Sequence, residues 1–262
     1  MDKTGATAMF HVTYKSQTEL SPSAHAALRR SLACNPRLTL RFWNDTEAQT
    51  LVSTECAARV HSVDVTRAYA RLVPAVARAD LFRYCVLLVH GGVYMDADAE
   101  LLKPIDELFP VNGLVVARES AWWPGLDAAH VVPHLRASQR AAFADHNHTH
   151  DATAHPRRKL GNWFMVASPN TFALRHVVAG VAHNVLAWHE TTATRRICLR
   201  SRILWTTGPS ALTLLLNPVP HDVRVVADAD FGPLARRKAV PNYAKNQRRG
   251  NYWCKDQSLV VM

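Results

Sequence analysis

Two aspartates two positions apart, Asp96 and Asp98, are the residues whose type and spacing point most directly to chemistry. They follow a short apolar run at 93–95 that is typical of a buried strand. In an extended backbone, side chains two positions apart point the same way, so we expect both carboxylates to face one site. Two carboxylates 4 Å apart repel by about 4 kcal/mol at an effective dielectric near 20. A hard divalent cation, Mn²⁺ or Mg²⁺, relieves this repulsion and prefers oxygen ligands.

The same tripeptide recurs later in the chain, as Asp228-Ala229-Asp230, and provides an internal comparison. A buried helix and a Gly-Gly turn precede the first copy, at 75–90 and 91–92, but nothing similar precedes the second. We therefore expect the second copy to be a solvated turn and place the site at the first.

A further polar group lies within the most apolar helix that the sequence predicts, at 75–90. Apolar side chains surround most of its circumference, which is typical of a buried helix. Asp80, Arg83 and Tyr84 nevertheless share one face, because they stand at i, i+3 and i+4. Charges are kept in a core only when they are paired. This face is either an internal ion pair that orients the helix or a pair that grips a ligand.

The elements around these residues alternate between strand and helix. Strands are predicted at 9–14, 38–43, 93–95, 114–117, 163–167 and 223–227, and helices at 22–34, from 45, at 75–90, 171–188 and 209–216. This alternation indicates an α/β domain with a mixed, mostly parallel central sheet. Ligands bind beyond the carboxyl ends of strands in such sheets, which is where Asp96 and Asp98 stand.

Composition narrows the class of protein. The chain has 262 residues and a formal charge of +10, and residues 191–262 hold 12 basic and four acidic side chains. A nucleic-acid-binding protein is one alternative, but no RNP, zinc-finger or helix-turn-helix signature occurs. A nucleotidyltransferase-like enzyme is another, but residues 5–25 contain no phosphate loop rich in Gly and Lys. The five cysteines are far apart and form no CxxC, which argues against a disulfide framework and a zinc site.

The segment 79–104, ADLFRYCVLLVHGGVYMDADAELLKP, resembles the DxD-containing glycosyltransferases of family 32. This family includes fungal α-1,6-mannosyltransferases and is related to the large clostridial glucosylating toxins. Weaker matches extend over most of the chain, at 11–16, 35–36, 42–45, 162–169 and 206–209. The resemblance implies a GT-A fold and a nucleotide-sugar donor bound with Mn²⁺. It also implies transfer of the sugar with retention of configuration.

The resemblance also implies roles for the residues that match the core pattern. Asp98 is expected to bind the metal directly, and Asp96 to bind metal, ribose or both. Tyr94 is expected to lie along the nucleotide. Asp80 and Arg83 are expected to hold the donor sugar and its phosphate, which favours the second interpretation of that pair.

Other positions receive roles from the weaker matches. Main-chain groups near Tyr14 and Lys15 are expected to contact the base, and Asn162 is a candidate for the sugar pocket. The closing segment of the family places a Trp near the diphosphate. Trp253 matches it here, with Asn251 two residues earlier.

The chain departs from the family just before Trp253. Relatives usually place a His or Glu there as a further metal ligand, whereas this chain has NQRR at 246–249. Either Asn251 or Asn246 substitutes, or the two aspartates hold the metal with phosphate and water. In a further alternative, Arg248 supplies part of the charge neutralisation.

We therefore expect a single GT-A domain over 1–262, with a donor-binding core at about 9–118, acceptor-side loops at about 119–160 and a closing tail at about 233–262. The expected reaction moves a hexose or N-acetylhexosamine from a UDP- or GDP-sugar to a glycan, glycolipid or protein acceptor. Part of the basic tail is expected to fold back toward the donor diphosphate. Because no signal peptide or transmembrane segment is recognised, we expect a cytoplasmic enzyme of bacterial or large-virus type.

Overall fold

The computed structural model describes residues 7–109, 112–118, 137, 140–141, 159–189, 199–237 and 259–260. The strands are β1 (Ala8–Thr13), β2 (Leu38–Trp43), β3 (Gly92–Met95), β4 (Ala99–Leu101), β5 (Leu114–Arg118), β6 (Leu160–Ala167), β7 (Val223–Val226) and β8 (Ala235–Arg237). The α-helices are α1 (Pro22–Cys34), α2 (Asp45–Leu51), α3 (Ala57–Val60), α4 (Asp64–Arg71), α5 (Ala75–His90), α6 (Phe172–Ala187), α7 (Leu199–Thr206), α8 (Pro209–Leu215) and α9 (Asp228–Phe231). A π-helical turn, Val52–Cys56, joins α2 to α3.

A six-stranded sheet in the order β2-β1-β3-β6-β5-β7 organises the described part of the chain. β1 pairs in parallel with both β2 and β3, and β5 pairs in parallel with β7. β6 runs antiparallel to both of its neighbours, β3 and β5. The expected α/β class with a mixed, mostly parallel sheet is therefore confirmed. A separate antiparallel pair joins β4 to β8.

Local signals explain why the helices begin and end where they do. The Ser21 hydroxyl accepts a hydrogen bond from the Ala24 N–H, and Pro22 opens α1. Asn44 and Glu47 form a reciprocal capping box at the start of α2. α5 ends at Gly91, whose φ of +64° is a conformation that glycine adopts without strain.

The glycine that follows lets two strands approach closely. Gly92 has a φ of +87°, and a Cβ placed there would lie 2.3 Å from the Met9 carbonyl oxygen of β1. β3 therefore emerges from α5 in the middle of the sheet, between β1 and β6.

Two hydrophobic cores cover the two faces of the sheet. Because side chains alternate between the two faces along a strand, Phe10 and Val12 of β1 both pack on the face that α1 covers. α5 belongs to the other core and is buried along almost its whole length, as its apolar circumference predicts. Leu259 and Val260 also belong to this core, where the Val73 N–H donates to the Leu259 carbonyl. Nowhere in the described part of the chain is a helix both long and apolar enough to cross a membrane.

Two expectations about the aspartate tripeptides are wrong. Asp96-Ala97-Asp98 is not extended but forms the turn between β3 and β4, closed by the Ala99 N–H donating to the Asp96 carbonyl at 3.0 Å. The turn leads into β4, which pairs with β8 far along the chain, so no pattern in the neighbouring sequence predicts the turn. The second tripeptide begins the one-turn helix Asp228–Phe231 rather than a turn, although Asp230 is exposed as expected.

Much of two expected segments lies outside the described residues. Of the acceptor-side loops expected at 119–160, the structure describes positions 137, 140–141 and 159–160. Of the closing tail at 233–262, it describes 233–237 and 259–260.

Candidate active site

An ion pair inside the core connects α5 to the aspartate turn. The Arg83 Nη2 atom lies 3.0 Å from Asp80 Oδ1, and both side chains are almost fully buried. The Arg83 Nη1 atom lies 3.1 Å from Asp96 Oδ1 and donates to the Asn162 carbonyl at 2.7 Å. One guanidinium therefore joins the buried helix, the aspartate turn and β6.

The carboxylate of Asp80 has hydrogen-bond donors on both oxygens. The Asn162 amide donates to Oδ1 at 2.9 Å, and the Thr207 hydroxyl donates to Oδ2 at 3.1 Å. Tyr84 extends this network, because it accepts from Asn162 at 3.1 Å and donates to the Thr207 carbonyl at 3.1 Å. Such saturation is what a buried charge requires, and it fixes the Asp80 side chain in one orientation.

Tyr94 and β6 orient the aspartate turn. The Tyr94 ring lies beneath the Arg83 guanidinium, with 4.8 Å between the ring centroid and the guanidinium carbon. Its hydroxyl donates to Asp96 Oδ1 at 3.3 Å, and the Asp96 N–H donates to the Trp163 carbonyl at 2.9 Å. Asp96 is thus held through its backbone and its side chain by groups from three elements.

Burial shapes the protonation states of this cluster. Removal from water raises the pKa of Asp80, and the nearby Arg83 partly offsets that rise. Burial alone would lower the pKa of Arg83, but the Asp96 and Asp80 carboxylates raise it above its ordinary value. Burial likewise raises the pKa of Tyr84 and of Tyr94. Arg83 therefore stays cationic, and both phenols keep the protons that they donate.

The carboxylates of the turn fit a cation that brings ligands of its own. Asp96 and Asp98 are half-buried and offer hard oxygen donors, as Mg²⁺ and Mn²⁺ prefer. Among the residues that the structure describes, no group of three or more His, Cys, Asp or Glu side chains is placed to bind a metal. Two carboxylates with substrate phosphate and water are a common set for these ions, so the donor set fits.

Residues 23–114, which include Asp80, Arg83, Asp96 and Asp98, match the family described as the glycosyltransferase sugar-binding region containing the DXD motif. Over these residues the chain is similar to the DXD glycosyltransferases. The mixed, mostly parallel sheet that carries the matched residues is of the α/β class expected for this chain.

Curated relatives are similar over parts of the chain. The initiation-specific alpha-1,6-mannosyltransferase of Candida albicans is 37% identical over 57 residues, which cover 22% of this chain and 15% of the relative. The putative glycosyltransferase HOC1 of Saccharomyces cerevisiae is 29% identical over 129 residues, which cover 47% of this chain and 27% of the relative. The matched regions thus span about a quarter or less of the length of these relatives.

Two solved structures are also similar. The PaToxG glycosyltransferase has a TM-score of 0.48 and 13% identity, covering 82% of this chain and 70% of that one. The ligand-free glycosyltransferase domain of the YGT toxin has a TM-score of 0.46 and 10% identity, covering 84% of this chain and 80% of that one.

The remaining residues expected to form the site lie in two groups. Tyr14 and Lys15 are exposed just past the carboxyl end of β1, which is parallel to β3 and adjacent to it. They therefore lie at the edge of the sheet where the aspartate turn begins. Asn251 and Trp253 lie outside the described residues, as does the segment 246–249. The expectations about a further metal ligand therefore rest on the sequence alone.

Thr207 is a site residue to which the sequence assigned no role. In the sequence, the segment 206–209 resembles the TGP turn of the DXD glycosyltransferases, and this resemblance is the signal that could have found Thr207. Gly208 explains why this turn lies so close to the site, because a Cβ there would lie 3.3 Å from Asp80 Oδ2.

Proposed function

We propose that this protein is a metal-dependent, retaining glycosyltransferase that moves a hexose or N-acetylhexosamine from a UDP- or GDP-sugar to a hydroxyl acceptor. A glycan, a glycolipid or a protein would carry the acceptor hydroxyl. The observation that supports this most is the DXD turn at the carboxyl end of β3, inside the segment that matches the family. Residues 9–118 would form most of the donor-binding core.

Asp96 and Asp98 would hold the metal, and Mn²⁺ or Mg²⁺ would supply positive charge against the departing nucleoside diphosphate. Arg83 keeps Asp96 in place through the 3.1 Å contact and adds a fixed positive charge behind the turn. Because this charge is paired and buried before the donor arrives, little reorganisation accompanies the loss of the leaving group.

Asp80 and Asn162 would position the donor sugar. Their side chains are already bonded to each other at 2.9 Å, and Thr207 holds the second Asp80 oxygen. A sugar hydroxyl that exchanges into this network would meet an oriented carboxylate, which favours one sugar configuration over its epimers.

Retention would follow from attack on the face of the sugar that the diphosphate leaves. The acceptor oxygen would form its bond to the anomeric carbon there, as the bond to the diphosphate oxygen breaks. The released diphosphate oxygen would take the acceptor proton, so we assign no protein side chain as general base.

A panel of UDP- and GDP-sugars tests the proposal, with Mn²⁺-dependent hydrolysis and thermal stabilisation as the two measurements. Asp98→Asn is the decisive variant, because it removes one carboxylate charge and little volume. The chain offers a matched control in Asp230→Asn, an exposed aspartate of the second Asp-Ala-Asp tripeptide.

We expect Asp98→Asn to stay folded and to lose Mn²⁺-dependent turnover by about 100-fold or more, since metal ligands contribute several kcal/mol to charge stabilisation. Asp230→Asn should retain the wild-type rate within about twofold. A wild-type rate in Asp98→Asn, or a wild-type rate that does not depend on added Mn²⁺, would refute the metal-dependent mechanism. The donor that stabilises the protein most would identify the nucleotide and the sugar.

A further inference from the structure

A second buried carboxylate, Glu100, lies two residues after Asp98 in β4, and its side chain is only 2% exposed. Arg30 of α1 donates from Nε to Glu100 Oε1. Arg236 of β8 donates to Glu100 Oε2 from Nε at 3.0 Å and from Nη2 at 2.7 Å. The two guanidiniums come from different elements, α1 and β8, and both arginine side chains are more than half exposed.

Backbone contacts hold the same strand from the same two sides. Glu100 and Arg236 are directly paired in the antiparallel register of β4 and β8. On the α1 side, the Leu101 N–H donates to the Ser31 hydroxyl at 2.9 Å, and that hydroxyl donates to the Ala27 carbonyl. The strand that leaves the DXD turn is therefore fixed to α1 and to β8 at consecutive residues.

A charge at this position fixes the register of the strand. Burying a carboxylate costs several kcal/mol, and apolar residues of similar volume are often at least as stabilising as a buried ion pair. The contribution of the ion pair is to specify the register of β4. A slip of one residue would turn Glu100 to the opposite face of the strand, away from both arginines. Ala99, whose N–H closes the DXD turn, stands directly before Glu100, so the register of β4 sets the geometry of that turn.

We infer that Glu100 is a positioning residue for the DXD turn. By locking β4 to Arg30 and Arg236, it sets the position of the Asp98 carboxylate and thereby the affinity of the aspartate pair for a divalent cation. The inference rests on the proposed function, since it concerns the metal that Asp96 and Asp98 would hold. By this inference, α1 and β8 support the metal site through Arg30 and Arg236.

The test measures Mn²⁺ binding to the full chain, from the paramagnetic resonance signal of free Mn²⁺, alone and with UDP or GDP present. Glu100→Gln removes the charge and keeps one acceptor oxygen. Its matched control is Glu47→Gln, which removes the charge of the 2.8 Å ion pair with Arg41 and keeps an oxygen that can accept in the capping box of α2. Both variants lose an Arg–Glu pair, but only the first pair adjoins the turn.

We expect Glu100→Gln to weaken Mn²⁺ binding about 10-fold, within the range found when groups that orient metal ligands are removed. Glu47→Gln should bind Mn²⁺ like the wild type within about twofold, even where its melting temperature falls. A folded Glu100→Gln variant with wild-type Mn²⁺ affinity overturns the inference. If Glu100→Gln does not fold, Arg30→Ala and Arg236→Ala each remove one donor, and wild-type Mn²⁺ affinity in both overturns it equally.

Asp98→Asn separates failure of this inference from failure of the proposed function. If the wild type binds Mn²⁺ and Asp98→Asn does not, the metal site stands, and the Glu100→Gln result decides the inference alone. If Asp98→Asn binds Mn²⁺ as the wild type does, or the wild type binds none, the proposed metal site and the inference fail together.

Discussion

Acidification should destabilise this protein through one histidine in the core. His11 of β1 is fully buried. The Trp43 indole N–H donates to its Nδ1 atom at 3.1 Å, and its Nε2 atom lies 2.9 Å from the Gly91 carbonyl. An indole nitrogen only donates, so Nδ1 must accept and Nε2 must carry the proton. Protonating Nδ1 would turn two N–H groups toward each other inside the core.

Burial lowers the pKa of His11 from 6.5 to about 4; the Gly91 carbonyl opposes the shift, and the neighbouring His90 and Arg41 add to it. The unfolded chain therefore binds more protons than the folded one between these two pKa values. The stability that depends on a neutral His11 is present above about pH 6.5 and is lost as the pH falls toward 4. Linkage gives a loss of about 1.4 kcal/mol by pH 5.5 and about 2.5 kcal/mol by pH 4.5, relative to pH 7.5.

Urea unfolding of the wild type and of His11→Gln, at a series of pH values, isolates this contribution. The glutamine amide can donate to the Gly91 carbonyl, as His11 does, but it does not titrate. The stability advantage of the wild type over the variant should shrink by about 2.5 kcal/mol between pH 7.5 and pH 4.5. The exposed His221→Gln variant should keep the wild-type pH dependence. A difference between wild type and His11→Gln that stays constant within about 0.5 kcal/mol over this range refutes the reasoning.

Two further substitutions probe the packing of the site. Thr207→Val removes the hydroxyl that donates to Asp80, and it should cost about 1.5–3 kcal/mol in urea unfolding, since the acceptor is a buried charge. Thr206→Val removes a bond to a helix carbonyl and should cost about 1 kcal/mol; equal losses would contradict this difference. Gly92→Ala brings a Cβ to 2.3 Å from the Met9 carbonyl at a φ of +87°, and thermal melting should show a loss above about 3 kcal/mol. An unchanged melting temperature would mean that β1 and β3 separate freely there.

Sequence reasoning succeeded where the signals are local. The bounds of α1, β2 and α5 match the expected ones, because Ser21-Pro22, Asn35-Pro36 and Gly91-Gly92 are strong start and stop signals. The shared face of Asp80, Arg83 and Tyr84 followed from helix periodicity alone.

It failed where a contact joins distant segments. The aspartate turn was expected to be extended, because nothing near it shows that β4 pairs with β8, more than 130 residues later. The role of Thr207 was missed for the same reason, since its partner Asp80 is 127 residues away. Helix periodicity placed Asp80 and Arg83 on one face, but it could not reveal that the Arg83 guanidinium also reaches Asp96, beyond the end of α5.

The same sequence separations set the order of events during refolding. The polar cluster around Asp80 needs α5, β6 and the turn after α7, so several long loops must close before it exists. Helices form in microseconds from local contacts, whereas contacts between distant segments form later. A chain that has regained its helical circular dichroism should therefore still lack the cluster around Asp80, and with it any affinity for the donor that we propose. Under the proposed function, recovery of Mn²⁺-dependent donor binding should follow the slowest folding phase, which would make it a kinetic marker of completed tertiary structure.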